Sequence, residues 1–301
     1  MRVLSLLPAA TDVVVALGRA EWLVGVTHEC DAPEVGAVAR VTQSAVDAAR
    51  SAAEVDGAVR ELAAAGAPLF ALDRARIARL APDVIITQRL CDVCAVSEDD
   101  VRALAARLAP PPRVVTLGGS TLDGIWADVL AVADALGESA RGAALVERSH
   151  QRLRRVHETL KTAGAPRPRV AVIEWSDPPY AAGHWVPEMV RRAGGVDVLA
   201  VAGEHSRPRT AAEVEAADPE VVLVAPCGYD VTRAESEARS LLARAEWAWA
   251  RERRVWAVDA TALTSRPAPG AVRGVEVLAW ILKPELFAPP TPAEARRVQP
   301  Q

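Results

Sequence analysis

Lysine is almost missing from this 301-residue chain, which has only Lys161 and Lys283. Arginine carries the positive charge instead, but Asp and Glu are mixed among the arginines, and the net charge is −4 with a pI near 5.8. That is the pattern of a solvated surface rather than a phosphate-binding stripe, so there is no electrostatic case for a nucleic-acid partner. Long hydrophobic runs are missing too, and nothing approaches the ~20 apolar residues of a membrane helix. At the N-terminus the short run Val3-Leu4-Ser5-Leu6-Leu7 stops at Pro8. It has neither the apolar length nor the small-residue cleavage site of a secretory signal. The expectation for the chain as written is therefore cytoplasmic, or periplasmic or membrane-anchored if the start is truncated. Also absent are a Gly-rich phosphate loop, a Gly-x-Ser-x-Gly elbow and a His-Glu-x-x-His helix. His28 and Cys30 lie two apart, but alternate residues of an extended chain point opposite ways, so they make no dyad. An enzyme is not expected. Cysteine is scarce, with four residues, and in a reducing compartment they are ligands, redox groups or core before they are disulfides.

Half the residues are hydrophobic and a quarter charged, the balance of a soluble globular protein with room for two lobes. Short apolar runs alternate with helical stretches. Val3 to Leu7 reads as a strand, followed by a helix capped by Thr11-Asp12. Leu23 to Val26, Leu69 to Leu72, Val84 to Thr87 and Val114 to Leu117 read as further strands. Helices are expected over Ala52 to Ala65, Asp73 to Leu80 and Ser97 to Leu108. This order predicts a largely parallel sheet covered on both faces. From Leu122 to about Ala163 the apolar residues recur at helical spacing, with Gly137 and Gly142 as breaks. Alternation resumes with the strands Val170 to Glu174, Val221 to Val224 and Val255 to Val258. The expected organisation is an α/β lobe over 1–120, a helical strut over 121–165 and a second α/β lobe over 166–301. One internal echo supports related lobes: Arg76 to Thr87 and Ala212 to Leu223 each run short helix, Pro, acid, buried strand.

In open α/β sheets, ligands bind beyond the carboxyl ends of the strands. His28, Glu29 and Cys30 follow the strand ending at Val26, and Cys91 and Cys94 the one ending at Thr87. Trp175, Asp177, Tyr180, His184 and Trp185 follow Val170 to Glu174; Cys227, Tyr229 and Asp230 follow Val221 to Val224; Ser265 and Arg266 follow Val258. All four cysteines and two of five histidines thus fall on one edge. The cysteines could pack loop turns, or Cys30, Cys91, Cys94 and Cys227 could hold a metal or an iron-sulfur cluster, Cys-x-x-Cys being a natural ligand spacing. A redox role is a third option, since Cys94 lies just ahead of a helix start. His184 is either a ligand contact or a group that hydrogen-bonds its own loop. His205, in the polar loop Glu204 to Pro208, could meet a ligand or cap the helix expected from Arg209. Arg266 could pair with an anionic ligand group. Trp126, Trp247, Trp249, Trp256 and Trp280 lie in helical or strand patterns and read as packing.

Arg2 to Asp12, Leu17-Gly18 and Leu23 to Thr27 resemble the opening of the substrate-binding proteins that serve ATP-driven importers of cobalamin and ferric siderophores. Arg254 to Asp259 is similar to the same family's late strand. Thr27 to Asp31, Leu90 to Ser97 and Ala182 to Glu188 resemble a subgroup described as cobalamin-binding. The resemblance spans nearly the whole chain. It implies two α/β lobes with mainly parallel sheets, joined by a long rigid helix, with a ligand cleft between the lobes. It also implies a corrinoid such as cobalamin, or a related metal chelate, as ligand, an ABC-importer permease as partner, and a monomer. On that expectation Pro8, Thr11, His28, Glu29, His184, His205 and Arg266 contact ligand, and Trp175, Tyr180, Trp185 and Tyr229 give flat walls for a large ring. The alternative is a cytoplasmic metal, iron-sulfur or redox-sensing protein using the cysteines on the same scaffold.

Overall fold

The computed structural model describes residues 1–90 and 96–299. It divides into two compact units: Met1–Gly119 with Asp123–Arg148, and Ser120–Leu122 with Ser149–Gln301.

Unit 1 contains the strands β1 (Val3–Ser5), β2 (Leu23–Val26), β3 (Ala39–Arg40), β4 (Thr42–Ser44), β5 (Phe70–Leu72), β6 (Val84–Gln88) and β7 (Arg113–Leu117). Five of them form a wholly parallel sheet in the order β3-β2-β1-β6-β7, and β4 pairs antiparallel with β5. Of the three inner strands, β1 and β6 are buried along their length, as continuous apolar runs should be when both faces are covered. Leu4, Leu6, Ile77, Ile85, Val101 and Leu104 form one core cluster on this sheet. The helices are α1 (Pro8–Ala16), α2 (Ala52–Ala64), α3 (Arg74–Leu80), α4 (Glu98–Ala105) and α5 (Leu122–Ala135); α6 (Ser139–Ala163) begins in unit 1 and ends in unit 2.

Side-chain caps explain several starts. Ser51 and Glu54 form a capping box on α2, Asp73 accepts from the Arg76 amide on α3, and Ser97 accepts from the Asp100 amide on α4. Two expectations are corrected. Thr11 does not cap α1; the helix starts three residues earlier, with Pro8 in its first turn, where proline's missing N–H costs nothing. Gly142 does not break the long helical stretch. The break falls at Gly137, and Gly142 lies inside α6, where a Cβ would collide with the Cβ of Ala133. It is a close-packing glycine rather than a breaker.

Unit 2 holds β8 (Arg169–Ser176), β9 (Pro179–Ala181), β10 (Val196–Asp197), β11 (Arg207–Pro208), β12 (Val221–Val224), β13 (Arg254–Val258) and β14 (Ala295–Val298). The path is β11-β9-β8-β12-β13-β14, with β10 beside β8. The centre is parallel, whereas β9, β11 and β14 run antiparallel at the margins. The helices are α7 (Val186–Arg192), α8 (Ala211–Ala216), α9 (Val231–Ala243), α10 (Ala260–Leu263) and α11 (Ala271–Leu282). Trp247 lies in the core stacked on Trp249, and Trp256 meets Trp280 edge to face, so these indoles are packing groups. The segment before α8 is not a simple loop. Arg207 and Pro208 form β11, and Thr210, not His205, caps the helix in a capping box with Glu213.

The internal echo has a structural counterpart. Ala81 and Asp218, each just before the proline, both take left-handed backbone. In unit 1 the acid after the proline, Asp83, accepts the Arg2 amide at 2.7 Å and returns its own amide to the Arg2 carbonyl at 2.8 Å. In unit 2, Glu220 accepts the Arg169 amide at 2.9 Å and returns its amide to the Arg169 carbonyl at 2.9 Å. The guanidinium groups then reach the carbonyls of the preceding helix end, Arg2 at Leu80 and Arg169 at Ala217 and Asp218. The core β1-β6-β7 of one unit therefore repeats as β8-β12-β13 in the other. Both clamps sit at the amino edge of their sheets, leaving the carboxyl edges to carry other chemistry.

Candidate functional site at the carboxyl edges of the sheets

At the carboxyl edge of unit 2, Trp175 and Tyr180 are not loop residues, as the sequence suggests. They face each other across the antiparallel pair β8-β9, and directly opposed residues of such a pair point to the same face. The hairpin was missed because β9 has only three residues and begins at a proline. Both side chains are half-buried, and Tyr229 packs against Trp175 with ring centroids 5.4 Å apart. Tyr229 itself is buried, and burial pushes its hydroxyl above the ordinary tyrosine value. Arg233 lies over its ring at 3.6 Å and donates to its hydroxyl at 2.7 Å. Sequence reasoning passed over Arg233, although a spacing of four residues across a helix start is a usable signal. The Ser176 hydroxyl donates to the Glu237 carboxylate, tying the end of β8 to α9.

Three loops at this edge are stitched together. The Trp185 indole is buried and donates to the Thr264 carbonyl at 2.9 Å, while the Gly228 amide donates to the Ser265 hydroxyl at 3.4 Å. The Ala260 amide donates to the Tyr229 carbonyl at 3.0 Å. Arg266 is half-buried just beyond Ser265.

His184 has left-handed backbone, φ +54°, and its Nε2 lies 3.2 Å from His205 Nδ1, with the two rings edge to face. Left-handed backbone in a non-glycine residue persists only where the surroundings hold it. Here the His184 amide donates to the Glu204 carbonyl at 2.6 Å, and the His184 carbonyl accepts from the Gly203 amide at 2.8 Å. Burial, and secondarily His205, hold the His184 imidazole below its ordinary pKa. Both alternatives for His184 thus find an element here: its backbone ties loop to loop, and its ring faces a second imidazole.

At the edge of unit 1, His28 takes two bonds from one side chain. Its amide donates to Thr42 Oγ1 at 3.0 Å, and its Nδ1 shares a hydrogen bond with the same hydroxyl at 2.7 Å. Its ring packs on Phe70, and burial lowers its pKa. Thr42 is fourteen residues away, and no local sequence signal points to it. A cavity of about 10 Å³ is lined by Leu6, Thr27, His28, Glu29, Thr42, Phe70 and Val96, room for at most one water. Glu29 is exposed and Pro8 half-buried, whereas Thr11 is buried, with its hydroxyl 2.8 Å from Ser5 Oγ and 3.1 Å from Cys30 Sγ.

Cys30 is buried, and burial pushes its thiol up, against the hydrogen bonds from Thr11 and Thr27. A group held protonated in this way is a poor nucleophile. Cys227 is exposed, with its amide bound to the Glu174 carbonyl. Cys91 and Cys94 lie outside the described residues. Among the described residues, no three His, Cys, Asp or Glu side chains converge as a metal site, and no helix is long and apolar enough to cross a membrane. A cavity of about 220 Å³ elsewhere in unit 2 has a mixed lining that includes Val156, Phe287 and three arginines, of which Arg152 and Arg273 are committed to Glu276 and Glu294.

Comparison with known proteins bears on this geometry. The family model described as periplasmic binding protein matches residues 3–249. A periplasmic heme binding protein from Pseudomonas aeruginosa superposes with a TM-score of 0.72 at 21% identity, over 100% of this chain and 98% of that one. The periplasmic heme-binding protein BhuT, in complex with two hemes, gives 0.68 at 22% identity over 95% and 98%. The periplasmic vitamin B12 binding protein BtuF of Vibrio cholerae gives 0.65 at 20% over 94% and 96%. At these identities the likeness is one of fold. No curated protein sequence matches the chain.

Proposed function

The chain belongs to the periplasmic binding protein family, and from that premise we propose that it is the substrate-binding protein of an importer, taking a corrinoid such as cobalamin. The observation that carries the proposal is the pair Trp175 and Tyr180, set side by side on one face of a hairpin and backed by the buried Tyr229. Two flat half-buried rings on a stiff support suit a large planar chelate, because little side-chain freedom is lost on binding. His184, His205 and Arg266 supply polar contacts along the same edge; Pro8, His28 and Glu29 are the candidates at the edge of unit 1. Trp185 and Thr11 act through the frame, their polar atoms being engaged within their own units.

Several cations on the unit 2 edge already have partners within that edge. Arg207 is paired with Glu204, Arg244 with Asp177, and Arg233 is held on Tyr229. A dianionic porphyrin would have to compete for them. Neighbours of the same fold bind heme or vitamin B12, so both are the natural probes. An importer permease is the partner this role implies. The role belongs on the outer side of the cytoplasmic membrane, and cell fractionation of the native protein tests that placement.

The test is titration of the purified protein with cobalamin and with hemin, followed by absorbance and calorimetry. Stoichiometric cobalamin binding, weakened at least about tenfold by Trp175→Ala, is expected. Tight hemin binding without cobalamin binding would move the proposal to porphyrins. Binding of neither would end it.

A further inference from the structure

Two segments of unit 2, Gly183-His184 and Gly203 to Ser206, are locked together by backbone. Besides the two bonds on His184, the Gly183 amide donates to Ser206 Oγ at 3.1 Å. The approach is so close that a Cβ on Gly183 would lie 2.6 Å from the Glu204 carbonyl oxygen and 2.6 Å from the His205 carbonyl carbon. The positions of the His184 and His205 backbones are therefore set relative to each other before any ligand arrives. Their side chains leave this junction and meet nitrogen to nitrogen, 3.2 Å apart.

That separation is close to a coordination geometry. Two imidazole nitrogens bound to one ion at about 2.0–2.1 Å, with an angle near the tetrahedral value, lie roughly 3.3–3.4 Å apart, slightly more than the separation here. The contact is a hydrogen bond between the rings, and an ion would replace it with two metal–nitrogen bonds once the shared proton moves to the other nitrogen of its own ring. We propose that His184 and His205 form a two-imidazole site for a divalent transition-metal ion. Imidazole nitrogens suit zinc, copper and nickel among the ions a cell offers. The Glu204 carboxylate is engaged by Arg207 at 3.0 Å, so the other coordination positions stay with water or with a ligand that brings its own donors. The site is open, as in metal centres that exchange a ligand, rather than closed, as in structural ones. It stands apart from the choice of chelate above: a chain that binds neither cobalamin nor hemin can still hold the ion.

The test uses Zn²⁺ and Co²⁺ on the full chain. In the wild type, one equivalent of Zn²⁺ should shift the ring proton resonances of His184 and His205 together, leaving His28, His150 and His157 in place. Co²⁺ should bind without a thiolate charge-transfer band. His184→Asn keeps a residue that tolerates left-handed backbone, and His205→Gln keeps a polar side chain of similar length. Each should weaken Co²⁺ binding by more than about tenfold, since loss of an outer-shell partner alone costs about 10–100-fold in metal affinity. Unchanged melting curves for both variants would confirm that folding is not the cause. No shift at saturating Zn²⁺, shifts confined to other histidines, or Co²⁺ binding that survives both substitutions with a thiolate band would overturn the proposal.

Discussion

Arg169 gives its backbone amide to the Glu220 carboxylate at 2.9 Å while its guanidinium holds the Ala217 and Asp218 carbonyls at the end of α8. One residue thereby fixes where β8 starts and where α8, the helix ahead of β12, stops. Arg2 and Asp83 do the same in unit 1.

Arg169→Ala should cost about 1–2 kcal/mol, since charged hydrogen bonds to helix-end carbonyls are lost from a largely exposed site. The clamp lies at the amino edge of its sheet, so ligand affinity should not change. Urea denaturation and ligand titration of one sample would check both. A large loss of affinity at unchanged stability would contradict the division of labour between the two edges.

Asp197 predicts a pH dependence. Burial raises its carboxyl from 3.8 to about 6, against the amide bonds from Leu199 and Ala200. Its Oδ2 has no partner among the described residues. The folded protein therefore keeps a proton that the unfolded chain releases between about pH 4 and 6. The contribution of this group is most favourable below that window and is lost as pH rises through it, by on the order of 2–3 kcal/mol. Asp197→Asn retains an oxygen for both amides, and should flatten the slope and stabilise the protein at pH 8. Equal slopes in variant and wild type would refute the assignment.

Thiol reactivity should separate the two described cysteines. In a Cys91→Ser, Cys94→Ser background, an aromatic disulfide reagent should modify the exposed Cys227 rapidly and Cys30 only on unfolding, because burial shields Cys30 and holds it protonated, against the hydrogen bond with Thr11. Mass spectrometry after a short pulse reads this directly. Prompt labelling of Cys30 in the native protein would show that its surroundings open.

Gly183→Ala should be among the most damaging single-methyl additions in unit 2. The new Cβ meets backbone on three sides and cannot be relieved by a side-chain rotation. Overpacking of this kind costs about 1–3 kcal/mol, and separation of the two segments should cost chelate affinity as well. A variant with wild-type melting temperature and binding would mean that the segments do not hold each other.

Much of the scaffold was legible because it depends on local rules. The apolar runs of β1, β6 and β12, the helices expected from Ala52 and Asp73, the cap at Ser97, and the helix-Pro-acid-strand echo all express preferences within a few residues. The sorting of His184, Tyr229 and Arg266 to the carboxyl edge followed from strand order alone. Less was legible where a residue's role depends on something distant. Thr11 looks like a cap, yet its hydroxyl serves Ser5 and Cys30. His28 relies on Thr42, Trp185 on Thr264, and the Trp175-Tyr180 pair on a three-residue strand too short to show a period of two. The family resemblance read from the opening motif agrees with the family that the chain matches.

The alternation of strands and helices, the parallel centre of each sheet and the edge on which polar chemistry collects are written in the order of residues, since hydrophobic period and capping are properties of neighbouring residues. Which of those edge residues face one another depends on the folded chain. His184 meets His205, and Tyr229 backs Trp175, because backbone contacts between segments far apart in the chain set their positions, and no periodicity in a sequence encodes such a contact.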